Sequence, residues 1–271
     1  MKQRQLLFSL IILISIVLVS GCTNDNKESN QSPTTEQFDP SLYFNNETTG
    51  KLDDNDNKFS WRSDSDDIIV TADKHKEGEG PDSLSLQNIT IAAGGKSYSI
   101  KPALNVSKVQ SISLSADKKM LAVSFFYGPG SNVFMINLSN GDSVDLNKEI
   151  EAQGNGFVES VQAYNWSPKN ASLAVAYGDT SSSKIAIVSG SDNKVHNLST
   201  DSYISTAYVL WSLDGSAIDC VSEKPSDQYK LYRMNINEKS AHEVVEISRD
   251  DLSKLTEYGP TYFKSSNDAT S

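Results

Sequence analysis

A few side chains in this 271-residue sequence are placed where they could do chemistry, and they set the first questions. Cys22 ends the run Val19-Ser20-Gly21-Cys22, a reactive thiol at the small-residue close of an apolar segment. Glu149, Glu151 and Glu159 are the carboxylates to test for acid–base cleavage of a glycan, which needs two acids at a set separation that sequence spacing does not fix. His75, His196 and His242 stand apart, without a second ligand at metal-binding spacing. His196 and His242 occupy near-equivalent places in a repeat; a ring could bring them together, but repeat equivalence explains their placement as well. The run Asp53-Asp54-Asn55-Asp56-Asn57 has calcium-type oxygens, but the sharp-turn Gly and the distal Glu of a calcium loop do not follow it. No Gly-x-Ser-x-Gly elbow, phosphate loop or dinucleotide fingerprint occurs; residues 128–132, GPGSN, lack the elbow's spacing. The expectation is a chain with no catalytic centre, no cofactor and no metal.

The amino terminus is the most specific stretch. Lys2 and Arg4 precede residues 6–19, which are apolar except for Ser9 and Ser15. A charged start, an apolar run and a small-residue end make an export signal, and a run this short falls below the roughly 20 residues of a bilayer span. The V-S-G-C ending resembles the bacterial lipobox. That resemblance implies that residues 1–21 are a lipoprotein signal peptide and that Cys22 becomes the lipidated first residue. The protein is then expected at the cell membrane, lipid-anchored on the extracytoplasmic face. Residues 22–58 are polar and without apolar periodicity, and read as a flexible tether; residues 59–271 carry the folded domain. Cys220 is then the one remaining thiol, at an apolar strand position, and reads as a small buried hydrophobe. Without disulfides the domain must be held by its core.

Formal charge is −11 and the sequence pI is about 4.7. Nucleic acid and polybasic attachment to anionic lipid both require clustered Lys and Arg, so neither is expected.

From residue 59 the pattern becomes short strands with period-two alternation. Four stretches carry one pattern: WRSDSDDIIVT, LSADKKMLAVS, WSPKNASLAVA and WSLDGSAIDCV. With Trp61, Leu114, Trp166 and Trp211 as anchors, Ile68, Leu121, Leu173 and Ile218 lie seven residues on. Val70, Val123, Val175 and Cys220 lie nine residues on, which puts both sets on one face of a strand. Each repeat then has a second turn, starting at Gly94, Asn140, Asp192 and Glu238, and an aliphatic six residues later at Ile100, Leu146, Leu198 and Val244. The turn starts are 46, 52 and 46 residues apart. Spacings of this size with four strands each belong to propeller blades.

The repeats resemble the blades of TolB-type and WD-repeat-like β-propellers, in which an aromatic or aliphatic residue precedes Ser-Pro-Asp-Gly and a strand. WSPKN keeps the Ser-Pro and WSLDG the Asp-Gly. The resemblance implies an all-β, propeller-like array of about four antiparallel four-stranded blades. Such an array could close as a tight ring, hide a blade in its ends or remain an open arc. Residues 45–59 and 261–264 are candidates to pair into a closing sheet. Residues 249–258 read as one short helix, capped by Ser248.

Function then falls to a surface. The longest loops are expected at residues 74–82, 127–132, 147–159 and 223–228, with Phe126 and Tyr127 either presented for binding or packed at a strand end. The leading expectation is a membrane-anchored lipoprotein whose domain binds or scaffolds a protein or glycan of the cell envelope. The alternatives are an envelope hydrolase or lyase built on the three glutamates, and a sensor domain feeding a membrane partner.

Overall fold

The computed structural model describes residues 38–263, apart from residues 66, 80–82, 199–201, 224–227 and 239–240. Cys22, the signal segment and most of the 223–228 loop lie outside the described residues. Among those described, no helix is long and apolar enough to cross a membrane.

The fold is all-β, four antiparallel sheets taken in chain order. Sheet 1 is β1 (Gly50–Asp54), β2 (Lys58–Ser63), β3 (Ile68–Lys76), β4 (Leu84–Ala93) and β5 (Lys96–Ser99). Sheet 2 holds β6 (Lys108–Leu114), β7 (Met120–Phe126), β8 (Ser131–Asn137) and β9 (Ser143–Asp145). Helix α1 (Leu146–Ala152) follows. Sheet 3 comprises β10 (Ser160–Trp166), β11 (Ser172–Gly178), β12 (Ser182–Ser189), β13 (Val195–Asn197) and the short β14 (Tyr203–Ile204). Sheet 4 is β15 (Thr206–Trp211), β16 (Ala217–Glu223), β17 (Tyr229–Asn235) and β18 (Ala241–Ile247). Helix α2 (Arg249–Lys254) and a 3-10 turn (Leu255–Tyr258) lead to β19 (Thr261–Tyr262), which returns to the inner edge of β6. The helical reading of residues 249–258 holds, with Ser248 Oγ accepting from Asp251 N at 3.1 Å. Helix α1, capped by Asp145, is a second helix that the loop reading of 147–159 missed.

The four repeats are real, but the first is framed one residue off. In sheets 1, 2 and 4 the serine after the anchor closes its turn: Ser63, Ser115 and Ser212 accept through Oγ from the amides of Ile68, Met120 and Ala217 at 3.1, 2.9 and 3.0 Å. In these hairpins Leu114 pairs with Leu121, Trp166 with Leu173 and Trp211 with Ile218, while in sheet 1 the matching pair is Arg62 with Ile69. Arg62, not Trp61, therefore occupies the anchor position. Val70, Val123, Val175 and Cys220 are all fully buried, yet Val70 belongs to the opposite face of its sheet.

Side-chain alternation explains the stacking. In sheets 2 to 4 the anchor face looks back and the other face looks forward. Trp61 and Val70 meet Leu121, Val123 and Phe125 in the layer between sheets 1 and 2. Ala122 and Met135 meet Trp166 and Val175 in the next layer, with Leu146 and Ile150 of α1. Ala174 and Ala176 meet Trp211 and Cys220 in the third. Each fully buried aliphatic contributes about 1.5–3 kcal/mol, so these three layers carry the stability of the array.

Neither end is built to take another sheet. The back face of sheet 1 carries exposed Arg62 and half-buried Ile69, Thr71 and Thr90, where its neighbours have apolar anchors. The forward face of sheet 4 packs Leu210, Val221, Leu231 and Ile247 against Tyr43, Leu255 and half-buried Phe38 and Leu252. Among the described residues no apolar layer joins sheet 4 to sheet 1. The array is an open, propeller-like arc whose last face is covered by the chain's own terminal segments.

Those segments correct two expectations. Residues 38–58, placed in the tether by composition, are part of the fold: Tyr43 is buried and β1 pairs with β2. The two ends do not pair into a closing sheet, since β1 joins sheet 1 and β19 joins sheet 2.

Candidate functional site

The expected reactive groups turn out to be dispersed and occupied. Glu149 Oε1 accepts from Gln153 Nε2 at 2.7 Å, Glu151 Oε1 from Val158 N at 2.8 Å and Glu159 Oε2 from Thr180 N at 3.1 Å. All three carboxylates thus fasten loop structure. His196 and His242 lie on β13 and β18, the outermost strands of sheets 3 and 4, so they stand at the rim instead of converging. His75 meets Glu77 at 2.9 Å near the end of β3. Among the described residues no group of three His, Cys, Asp or Glu is positioned to hold a metal. Cys220 is buried, and desolvation pushes its thiol well above the ordinary range, as expected of a packing residue. Tyr127 packs at the edge of the first layer, its hydroxyl donating to the Glu159 carbonyl. Residues 127–132 are consequently a tied turn, and residues 74–76 belong to β3.

The inner ends of the strands are where polar chemistry gathers. Each inner strand of sheets 2 to 4 is bulged four residues before its anchor, at Gln110, Gln162 and Ala207. A bulge turns a side chain out of the ladder. Gln110 Oε1 accepts from Ser124 Oγ and Ser131 Oγ at 3.1 and 2.6 Å, and Gln162 Oε1 from Thr206 N at 2.8 Å.

Two terminal segments cross these strands. The incoming segment begins on sheet 4, where Phe44 N donates to the Trp211 carbonyl at 2.8 Å. It continues to sheet 2, where Asn46 Nδ2 donates to the Leu114 carbonyl at 2.6 Å and Thr48 Oγ1 accepts from Leu114 N at 2.9 Å. The outgoing segment leaves α2, passes Asn165 in sheet 3, pairs with β6 and ends with Phe263 edge-on to Phe59 of sheet 1 at 5.5 Å. Thr261 Oγ1 donates to the Thr48 carbonyl at 2.6 Å and ties the two together.

Tyr43 fixes the incoming segment. Its hydroxyl donates to Asp219 Oδ2 at 2.7 Å, and Arg233 grips the same carboxylate with Nε at 2.9 Å and Nη2 at 2.8 Å. Asp219 is only 2 % exposed and takes the place that Val70, Ala122 and Ala174 fill in the other sheets. Burial first, then the Asp219 carboxylate, hold the Tyr43 phenol far above its ordinary value.

A cleft of about 410 Å³ opens where both segments meet sheet 4. Asn45 and Glu47 enter it from the incoming segment, Glu257 and half-exposed Tyr262 from the outgoing one, and Tyr208 from β15. Burial, and next Tyr229, raise the Tyr208 phenol above its ordinary value. Sequence reasoning missed this cleft because its residues come from segments read separately, as a tether, a short helix and a candidate closing strand.

No family model and no curated protein matches the sequence. Solved structures similar to the fold include TolB from Acinetobacter baumannii, at 14 % identity and a TM-score of 0.41 over 72 % of this chain and 56 % of that one. A putative TolB from Agrobacterium tumefaciens is 12 % identical, with a TM-score of 0.39 over 78 % of each chain. A puromycin hydrolase is 10 % identical, with a TM-score of 0.42 over 70 % of this chain. This chain spans 29 % of that hydrolase. Scores of this size assign neither a family nor an activity.

Proposed function

We propose that this protein is a lipid-anchored recognition domain of the cell envelope, held at the extracytoplasmic membrane face through Cys22. The observation that carries the recognition reading is the cleft of about 410 Å³ at the crossing of the terminal segments. It combines aromatic rings with exposed carboxylates on a rigid scaffold, as ligand sites do. Binding fits it better than turnover, because the glutamates offered as acids are engaged in loop hydrogen bonds. The anchor reading rests on the lipobox-like V-S-G-C sequence and on the incoming segment, which arrives at the fold beside the cleft.

Two measurements test it. Globomycin should block processing, and Cys22→Ser should abolish labelling by a fatty-acid precursor and release the protein from the membrane fraction. Crosslinking in intact cells, comparing the native chain with Tyr262→Ala, should capture an envelope partner that the variant loses. Processing insensitive to globomycin would overturn the anchor, and turnover of peptidoglycan or polysaccharide by the purified chain would overturn the binding role.

A further inference from the structure

We propose that the cleft between the terminal segments binds a small organic ammonium ion, a proposal that rests on the recognition reading and names its ligand class. Glu47 and Glu257 reach the cleft from opposite segments, and both are exposed. Neither has a hydrogen-bond or ion-pair partner among the described residues, whereas Glu149, Glu151 and Glu159 each have one. Among the described residues no Lys, Arg or His lines the space with them. Tyr208 and Tyr262 supply aromatic rings to the same cavity. A ring face attracts a cation through its quadrupole, and the attraction grows when the cation is partly desolvated. Rings and carboxylates together therefore select positive charge on a greasy or bulky group. An anion would meet two negative charges, and a neutral apolar molecule would strip water from them without return. The chain's net charge of −11 adds a long-range pull in the same direction. The volume admits a small organic ammonium ion together with water, and Asn45 and Thr256, which also line it, can hydrogen-bond a hydroxyl or amine.

The test is calorimetric titration of the full chain in non-ionic detergent with choline and with 3,3-dimethylbutan-1-ol, which has the same shape without the charge. Choline should bind at one site, the neutral alcohol at least tenfold more weakly, and added salt should weaken choline alone. Glu47→Gln, Glu257→Gln and Tyr262→Leu should each lower choline affinity about fivefold at an unchanged melting temperature. The comparison of the two probes on the unaltered protein needs no variant to fold. Equal binding of the alcohol, or no binding of choline, overturns the proposal. A partner captured in cells by a protein that ignores choline would leave the recognition reading standing and remove only this ligand class.

Discussion

The indole Nε1 of Trp211 donates to the backbone carbonyl of Asn165, 3.0 Å away across the layer between sheets 3 and 4. Trp166 makes the same contact one layer earlier, to the carbonyl of Ser113 at 3.1 Å. In both cases the acceptor is the residue just before the anchor of the preceding sheet. Apolar layers tolerate sliding, whereas a directional hydrogen bond from a buried ring fixes one sheet against the next. Trp61 sits one residue out of this frame and looks forward, and its buried Nε1 has no partner among the described residues.

That contrast predicts unequal costs for one chemical change. Trp166→Phe and Trp211→Phe each remove a buried donor and the hydrogen bond it makes from one sheet to the next, at a cost of about 0.5–1.5 kcal/mol beyond the lost ring area. Trp61→Phe removes a donor that is already unsatisfied, so its cost should be the smallest of the three. Urea unfolding of the three variants measures this. Equal destabilisation would mean that the indole bonds contribute nothing to register.

Asp219 should behave as the keystone of the covered end. Asp219→Ala removes the carboxylate that the Arg233 guanidinium and the Tyr43 hydroxyl share in a mostly buried place. Removing one partner of such a pair costs about 3 kcal/mol, reduced here because Arg233 is partly exposed. The double change Asp219→Leu with Arg233→Met should regain much of that loss, because position 219 is an apolar site in the other three sheets. Denaturant midpoints of the single and double variants decide it.

Alkaline pH should loosen the same place. The folded protein keeps the Tyr43 proton far above the ordinary phenol value, whereas the unfolded chain releases it near pH 10. The unfolded state then binds fewer protons than the folded one, so stability is complete below about pH 10 and falls as pH rises further. Tyr164, fully buried with its hydroxyl 2.8 Å from Ser111 Oγ, adds to the same slope. Tyr43→Phe should be less stable at neutral pH yet lose less between pH 9 and 11, a comparison that stability measurements across that range settle.

Much of this architecture is written in local patterns. Leu121, Leu173 and Ile218 announce their layer because they alternate within strands that have something to bury on one face. The first repeat misleads because Trp61 is a more conspicuous anchor than Arg62, although Ser63 marks the frame as Ser115 and Ser212 do. Arg62 stands at an anchor position because no sheet precedes it, a tertiary fact that no local pattern records. Helix α1 hides in seven residues, too short to show more than Leu146 and Ile150 on one side. The cleft was illegible for a different reason: Glu47 and Glu257 are separated by nearly the whole chain, and only the crossing of the terminal segments brings them to one cavity.

The outer rim offers the cleanest separation of backbone strain from packing. Gly141, in the second turn of sheet 2, has φ +82°, and a Cβ there would lie 2.0 Å from the Tyr98 ring on β5. Tyr98 in turn donates to the Leu138 carbonyl at 3.2 Å, so this turn and β5 hold sheets 1 and 2 together at their rims. Gly95, the equivalent turn position in sheet 1, also has positive φ, at +75°, but a Cβ there would meet nothing within 4 Å. Gly95→Ala should therefore cost about 1 kcal/mol, the strain of a left-handed alanine. Gly141→Ala should cost that amount plus a similar penalty for displacing the ring, of about 1–3 kcal/mol. In a Tyr98→Ala background the second penalty has no ring to act on, and the two glycine substitutions should become equal. Urea midpoints of the five variants give the answer, and an undiminished gap without the Tyr98 ring would show that the rim contact is not what the glycine protects.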